Sequence, residues 1–93
     1  MRTGIYPGTF DPITLGHIDV IKKSLNIVDK LVIAITDNVN KEYFFSLEDR
    51  VSIVTKSLFK DLKLNKKKSL IKSFNTLTID LCKKYKASII IRG

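Results

Sequence analysis

The chain has one cysteine, one histidine, one methionine and no tryptophan among 93 residues. A lone Cys82 cannot close an internal disulfide, and it cannot build a cysteine-based metal site. That scarcity suits a reducing compartment, and the expected location is the cytoplasm. Long apolar runs are also missing. The longest, near Leu31–Ile35, is far too short to span a bilayer, so no membrane partner is expected. The first residues, Met1 to Gly4, lead straight into a strand-like segment with no leader pattern. Acidic residues are few: 9 Asp and Glu stand against 17 Lys and Arg, a formal net charge of +8. This excess predicts attraction to anions without saying which. Lysines crowd at Lys60, Lys63, Lys66, Lys67 and Lys68, and again at Lys83, Lys84 and Lys86. Aromatic residues do not interleave with them. They read as a solvated loop and a helix end, and no nucleic-acid partner is expected.

What is present is a globular composition, with 44% hydrophobic and 28% charged residues. Disorder is excluded on that balance. The length allows one domain at most. Short β-rich runs alternate with amphipathic stretches. Gly4-Ile5-Tyr6 is a first strand that stops at Pro7-Gly8. From Gly16 to Val28, apolar residues at Ile18, Ile21, Leu25 and Val28 describe one helix face. Asp19 is placed in its first turn. Leu31 to Ile35 is a β-branched run of the kind buried on both faces of a parallel sheet. Ser46 caps a second helix with Asp49 three residues on, and Val51, Val54, Leu58 and Phe59 continue its apolar stripe. Ser69 to Ser73 is a third strand. Asn75 or Thr76 caps a third helix with Leu77, Leu81 and Cys82 inward. Ala87 to Ile91 is a fourth, buried-type strand, followed by Arg92-Gly93.

The order β-α-β-α-β-α-β predicts an α/β fold: a Rossmann-like parallel sheet with helices on both faces. In such sheets ligands sit beyond the carboxyl ends of the strands, where strand order reverses. With the order 3-2-1-4, that crevice lies between the first and fourth strands. It gathers the segment Pro7 to His17, the stretch Thr36 to Lys41, and Arg92-Gly93. Gly8 lets backbone approach a ligand closely. Thr9 offers a hydroxyl and an N–H. Gly16 and His17 open a helix whose free amides favour an anion. His17 is either a donor to that anion or a helix-capping residue.

Thr14-x-Gly16-His17 resembles the T/H-x-G-H signature of the nucleotidyltransferase superfamily. The longer run Tyr6-Pro7-Gly8-Thr9-Phe10-Asp11-Pro12-Ile13-Thr14 is similar to the bacterial phosphopantetheine adenylyltransferase family. Relatives outside it usually carry histidine at the Thr14 position. Many nicotinate-nucleotide enzymes have Gly-Gly in place of Tyr6-Pro7. Phe45 to Val51 resembles the family segment that opens the second helix, and Ile91-Arg92-Gly93 resembles its motif after the fourth strand. The likeness runs in register over all 93 residues.

The resemblance implies transfer of the adenylyl group of ATP to 4′-phosphopantetheine, giving dephospho-coenzyme A and pyrophosphate. The alternatives are another nucleotidyltransferase, such as a nicotinate-nucleotide adenylyltransferase, or a catalytically incomplete fragment that only binds nucleotide. By position, the resemblance makes His17 the catalytic residue. Thr9, Phe10, His17 and Gly93 bind ATP; Thr9, Lys41, Thr78 and Arg92 bind 4′-phosphopantetheine. Mg²⁺ is expected with the triphosphate, held by phosphate oxygens and water, with no protein metal site. A homohexamer is implied in the same way. Asp11 is expected to stabilise the turn before Pro12, Glu48 and Asp49 to serve the helix start, and Phe44 and Phe45 to pack. The family continues past the Arg-Gly motif with more of its adenine-binding segment. A chain ending at Gly93 would therefore be a single domain lacking the family's C-terminal part, and is expected to bind ATP weakly with little turnover.

Overall fold

The computed structural model describes residues 2–37, 42–75 and 78–92. Its elements are β1 (Thr3–Gly8), α1 (Leu15–Ser24), β2 (Lys30–Thr36), α2 (Leu47–Thr55), β3 (Ser69–Phe74), α3 (Thr78–Tyr85) and β4 (Ile89–Ile90). A π-helical turn, Lys56–Asp61, continues α2. All strand pairs are parallel, and the sheet order is β3-β2-β1-β4. The expected α/β order and topology are both present.

β2 is the centre of the molecule because its side chains are apolar on both faces. Leu31, Val32, Ile33, Ala34 and Ile35 are all 0% exposed. Their period of two divides them between two layers. Leu31, Ile33 and Ile35 join Ile21 of α1 and Val54 of α2 on one face. Val32 and Ala34 join Ile5 on the other, where Cys82 and Tyr85 of α3 cover them. Helices therefore lie on both faces, as a crossover-linked parallel sheet requires.

The cap of α2 forms as expected: the Asp49 amide donates to Ser46 Oγ at 3.1 Å. α1 is shorter than its apolar spacing predicts. Beyond Ser24 the bonds tighten to three-residue spacing, with Asn26 N–H donating to Lys23 and Ile27 N–H to Ser24. The chain turns there, and Val28 reaches the core from outside the helix. Because α1 begins at Leu15, Asp19 is its fifth residue, past the first turn. It pairs instead with Lys23, one turn on, at 3.0 Å on the surface, a contact of about 0.3–0.5 kcal/mol.

β1 runs on through Pro7 and Gly8, whereas its sequence suggests an earlier stop. Pro7 still pairs opposite Ala34 of β2, but it ends the ladder on the other side. Ser88 N–H donates to Thr3 O, and Ile91 N–H donates to Ile5 O. Alternation turns the next equivalent position, Pro7, toward β4, and proline has no N–H to continue. At its other end, β4 is shortened by the stop of α3, where Lys86 takes a left-handed φ of 54° and Ala87 N–H donates to Cys82 O. Only Ile89 and Ile90 remain paired with β1. Ile90 is 42% exposed, so this run is not the buried strand that its composition suggests. Of the third-helix residues expected inward, Cys82 packs there. Thr76 and Leu77 lie outside the described residues, as does the side chain of Leu81.

Candidate functional site

Beyond the carboxyl end of β1 is a cleft of about 530 Å³, lined by Tyr6, Pro7, Gly8, Thr14, Gly16 and His17. It takes in the β1 side of the crevice that the topology predicts, and no described residue of β4 lines it. One wall is the strand end and the other is the first turn of α1. Helix geometry leaves the Leu15 and Gly16 amides with no carbonyl four residues back, so they favour an anion at this mouth. A second, smaller hollow of about 180 Å³ lies at the carboxyl ends of β2 and β3, between Asp37, Leu47 and Phe74.

His17 takes the helix-capping reading. It is the third residue of α1, and its ring reaches back to close a capping box with Thr14. The Thr14 backbone N–H donates to Nδ1 at 2.9 Å. Thr14 Oγ1 accepts from the His17 amide at 3.3 Å and lies 3.0 Å from Nδ1. A backbone N–H can only donate, so Nδ1 accepts and carries no proton. The neutral ring then bears its proton on Nε2. Burial pushes the His17 pKa below its ordinary value, which favours the same neutral form. The ring rests against Phe10, with centroids 4.8 Å apart, and near Tyr6, at 6.4 Å. Burial also raises the Tyr6 pKa, keeping its phenol protonated. The cleft is therefore lined by a fixed, neutral imidazole beside helix amides. That arrangement suits a phosphate oxygen.

The turn after β1 is held unusually tightly. Phe10 has a positive φ of 49°, costly for a residue with a Cβ, yet its ring is 1% exposed and packs edge-on to Tyr6 at 5.3 Å. A Cβ placed on Gly8 would lie 2.9 Å from Phe10 Cε2. Gly8 is thus needed to seat the Phe10 ring, a demand separate from close approach of a ligand. Asp11 stabilises more than its own turn. Its carboxylate accepts the amides of Phe44 and of Phe45, the latter at 2.7 Å. It acts as a tie between two loops.

Sequence reasoning passed over Arg50. Its side chain is 0% exposed. Nε donates to Phe45 O at 3.1 Å, and NH1 donates to Thr9 O at 3.1 Å and to Thr36 O at 2.7 Å. NH2 meets Asp37 Oδ1 at 3.2 Å, and the guanidinium stacks 3.9 Å from the Tyr43 ring centre. A signal was available. Arg50, Val54 and Leu58 are spaced by fours on α2 and its continuation, and all three are fully buried. An arginine on a helix's inward stripe needs partners there.

The other expected residues are less closely gathered. Thr9 follows the strand end, with its carbonyl held by Arg50. Arg92 is exposed after β4 and does not line the cleft. Thr78 opens α3, but its side chain lies outside the described residues, as do Lys41 and Gly93 entirely. Phe44 does not pack as expected. It is 87% exposed, because its amide is pinned by Asp11 and its ring is left outside. Among the described residues, no three of His, Cys, Asp or Glu gather as a metal site. No described helix is long and apolar enough to cross a membrane.

Comparison with known proteins identifies the family. Residues 5–93 match the cytidylyltransferase-like family model. The chain belongs to the cytidylyltransferase-like family. Within the family, it is 56% identical over 92 residues to the phosphopantetheine adenylyltransferase of Pelagibacter ubique, covering 99% of this chain and 56% of that protein. The enzyme of the same name from Flavobacterium psychrophilum is 52% identical, over 100% of this chain and 58% of its own length. That of Clostridium perfringens is 44% identical, with 100% and 54% covered. The chain thus spans about half the length of these curated relatives. The family fold recurs in a bifunctional NMN adenylyltransferase/ADP ribose pyrophosphatase from Francisella tularensis. That structure in complex with AMP and Mn has a TM-score of 0.71 at 20% identity, over 96% of this chain and 31% of that one.

Proposed function

We propose that the full-length protein transfers the adenylyl group of ATP to 4′-phosphopantetheine, and that the cleft at the end of β1 forms the nucleotide side of its site. The observation that carries this reading is the capped, neutral His17 lining the cleft at the end of β1. The identity to phosphopantetheine adenylyltransferases along the whole chain supports the choice of acceptor.

In this reading, a terminal phosphate oxygen of the acceptor attacks the α-phosphorus of ATP. The bond to the bridging oxygen breaks, pyrophosphate leaves, and dephospho-coenzyme A forms. The protein's contribution is positioning and charge stabilisation. His17 donates from Nε2 to an ATP phosphate as negative charge develops. The Leu15 and Gly16 amides add the helix field. Thr9 and the Phe10 backbone hold phosphates at the turn, and Gly93 meets the adenine nucleotide. Lys41, Arg92 and Thr78 take the pantetheine substrate. Mg²⁺ enters as part of the MgATP substrate. A homohexamer and a cytoplasmic location belong to the same proposal.

The test is pyrophosphate release from MgATP by the full-length protein, with and without 4′-phosphopantetheine. The reading expects release that requires this acceptor. His17→Ala should lower kcat on the order of 100-fold, the cost of removing one transition-state donor. Release driven equally well by nicotinate mononucleotide, or a His17→Ala variant of undiminished kcat, would overturn it.

A further inference from the structure

We propose that Arg50, together with Asp11, is a positioning residue for the transfer reaction. It fixes the distance between the phosphate-holding turn after β1 and the loop after β2, without touching either substrate. The inference rests on the functional reading above.

The argument begins with what Arg50 binds. Two of its acceptors, the carbonyls of Thr9 and Thr36, follow or end adjacent strands. A third, the Phe45 carbonyl, belongs to the lead into α2. One rigid planar fork therefore spans three chain segments, which a lysine's single ammonium cannot do. Simple packing does not need it. Val54 and Leu58 fill the same stripe with aliphatic carbon, also at 0% exposure. Buried ionic groups can often be replaced by apolar ones without loss of stability, so an arginine here points to a demand for geometry.

The turn supports the same conclusion. Three successive residues are each held from a different direction. Arg50 holds the Thr9 carbonyl, burial holds the Phe10 ring, and the Phe44 and Phe45 amides hold the Asp11 carboxylate. The left-handed Phe10 backbone persists because its surroundings over-determine it. A phosphate bound by Thr9 and the Phe10 backbone is placed only as well as this turn is placed. A displacement of about 1 Å in a reacting group costs on the order of 100-fold in rate.

The experiment measures acceptor-dependent pyrophosphate release by the full-length protein carrying Arg50→Lys or Asp11→Asn. It is run at a temperature where circular dichroism shows each variant folded. For Arg50→Lys, kcat falls on the order of 100-fold, while KM for ATP stays within about threefold and the pH profile keeps its shape. Asp11→Asn leaves one acceptor oxygen where there were two, and kcat falls by about tenfold. A purely structural residue would lower the melting temperature and leave kcat of the folded protein unchanged. That result overturns the proposal. If Arg50→Lys does not fold, Asp11→Asn decides by the same criterion. If the parent shows no acceptor-dependent release, the functional reading fails, and titration with MgATP judges the brace. Arg50→Lys must then weaken the ATP-induced NMR shifts of the Thr9 and Phe10 amides. Shifts and affinity equal to the parent's overturn the inference.

Discussion

At the carboxyl end of β1, the backbone is gripped from three sides, by Arg50 at Thr9, by Phe44 and Phe45 at Asp11, and by the buried Phe10 ring. At the carboxyl end of the neighbouring strand β4, pairing among the described residues stops at Ile90 and Arg92 is exposed. The two ends carry the same kind of functional expectation, a cation or donor facing phosphate. They differ in what fixes them. Among the described residues, the end of β1 is preorganised and the end of β4 is not.

That contrast is sharpest for the two arginines. Arg50→Ala removes one partner of a buried network and leaves several carbonyl acceptors without their donor. The expected loss is about 3–5 kcal/mol. The same truncation at exposed Arg92 should stay within about 0.5 kcal/mol. Urea unfolding of the two variants checks the difference. Equal midpoints would mean that the grip on Thr9 and Thr36 contributes nothing, and the contrast would collapse.

A smaller effect separates two glycines of the same cleft. Gly8→Ala drives a Cβ to 2.9 Å from Phe10 Cε2, and that ring is hemmed in by Tyr6 and His17. Overpacking of this kind costs about 1–3 kcal/mol. Gly16→Ala meets only Thr14 Oγ1 at 3.6 Å, an ordinary contact. It should be neutral or slightly stabilising, since alanine suits a helix better by about 1 kcal/mol at most. Thermal melts distinguish them. A destabilised Gly16→Ala beside an unaffected Gly8→Ala would place the tight wall on the wrong side.

Much of this was legible in the sequence, because the signals are local. The apolar run of β2, the Ser46–Asp49 cap and the α/β alternation each sit within a few residues. The topology then pointed to the carboxyl end of β1, where the cleft lies, although its other wall is α1 and not β4. The brace was not legible, because its partners lie far off along the chain. Arg50 meets Thr9 from 41 residues away, and Asp11 meets Phe44 from 33. A single arginine in a helix reads as solvated unless its inward spacing with Val54 and Leu58 is noticed. The shortness of β4 was hidden too. Three successive isoleucines look alike in a central or a marginal strand, and Pro7 of another strand sets where pairing ends. His17 was legible as a position but not as a tautomer, which depends on one backbone N–H.

The acid response of His17 gives the smallest effect, and its sign can be worked out. The folded ring has a pKa below its ordinary value, because burial disfavours the charged form. As pH falls through the unfolded value of about 6.5, the unfolded chain takes up the proton before the folded one does. The unfolded state is then favoured. The contribution of His17 to stability is therefore complete above that pH and is lost as pH falls toward the folded pKa. Protonation also places a hydrogen on Nδ1, opposite the Thr14 N–H that it accepts at 2.9 Å, so the α1 cap opens together with the charge change. ¹⁵N NMR of the imidazole should show Nε2 protonated and Nδ1 bare at neutral pH. Urea midpoints should decline on acidification less in His17→Gln, which cannot titrate, than in the parent. A folded His17 that titrates above its ordinary value, or carries its proton on Nδ1, would show that the capping box is not formed. The preorganised end of β1 would then lose the donor that distinguishes it from the end of β4.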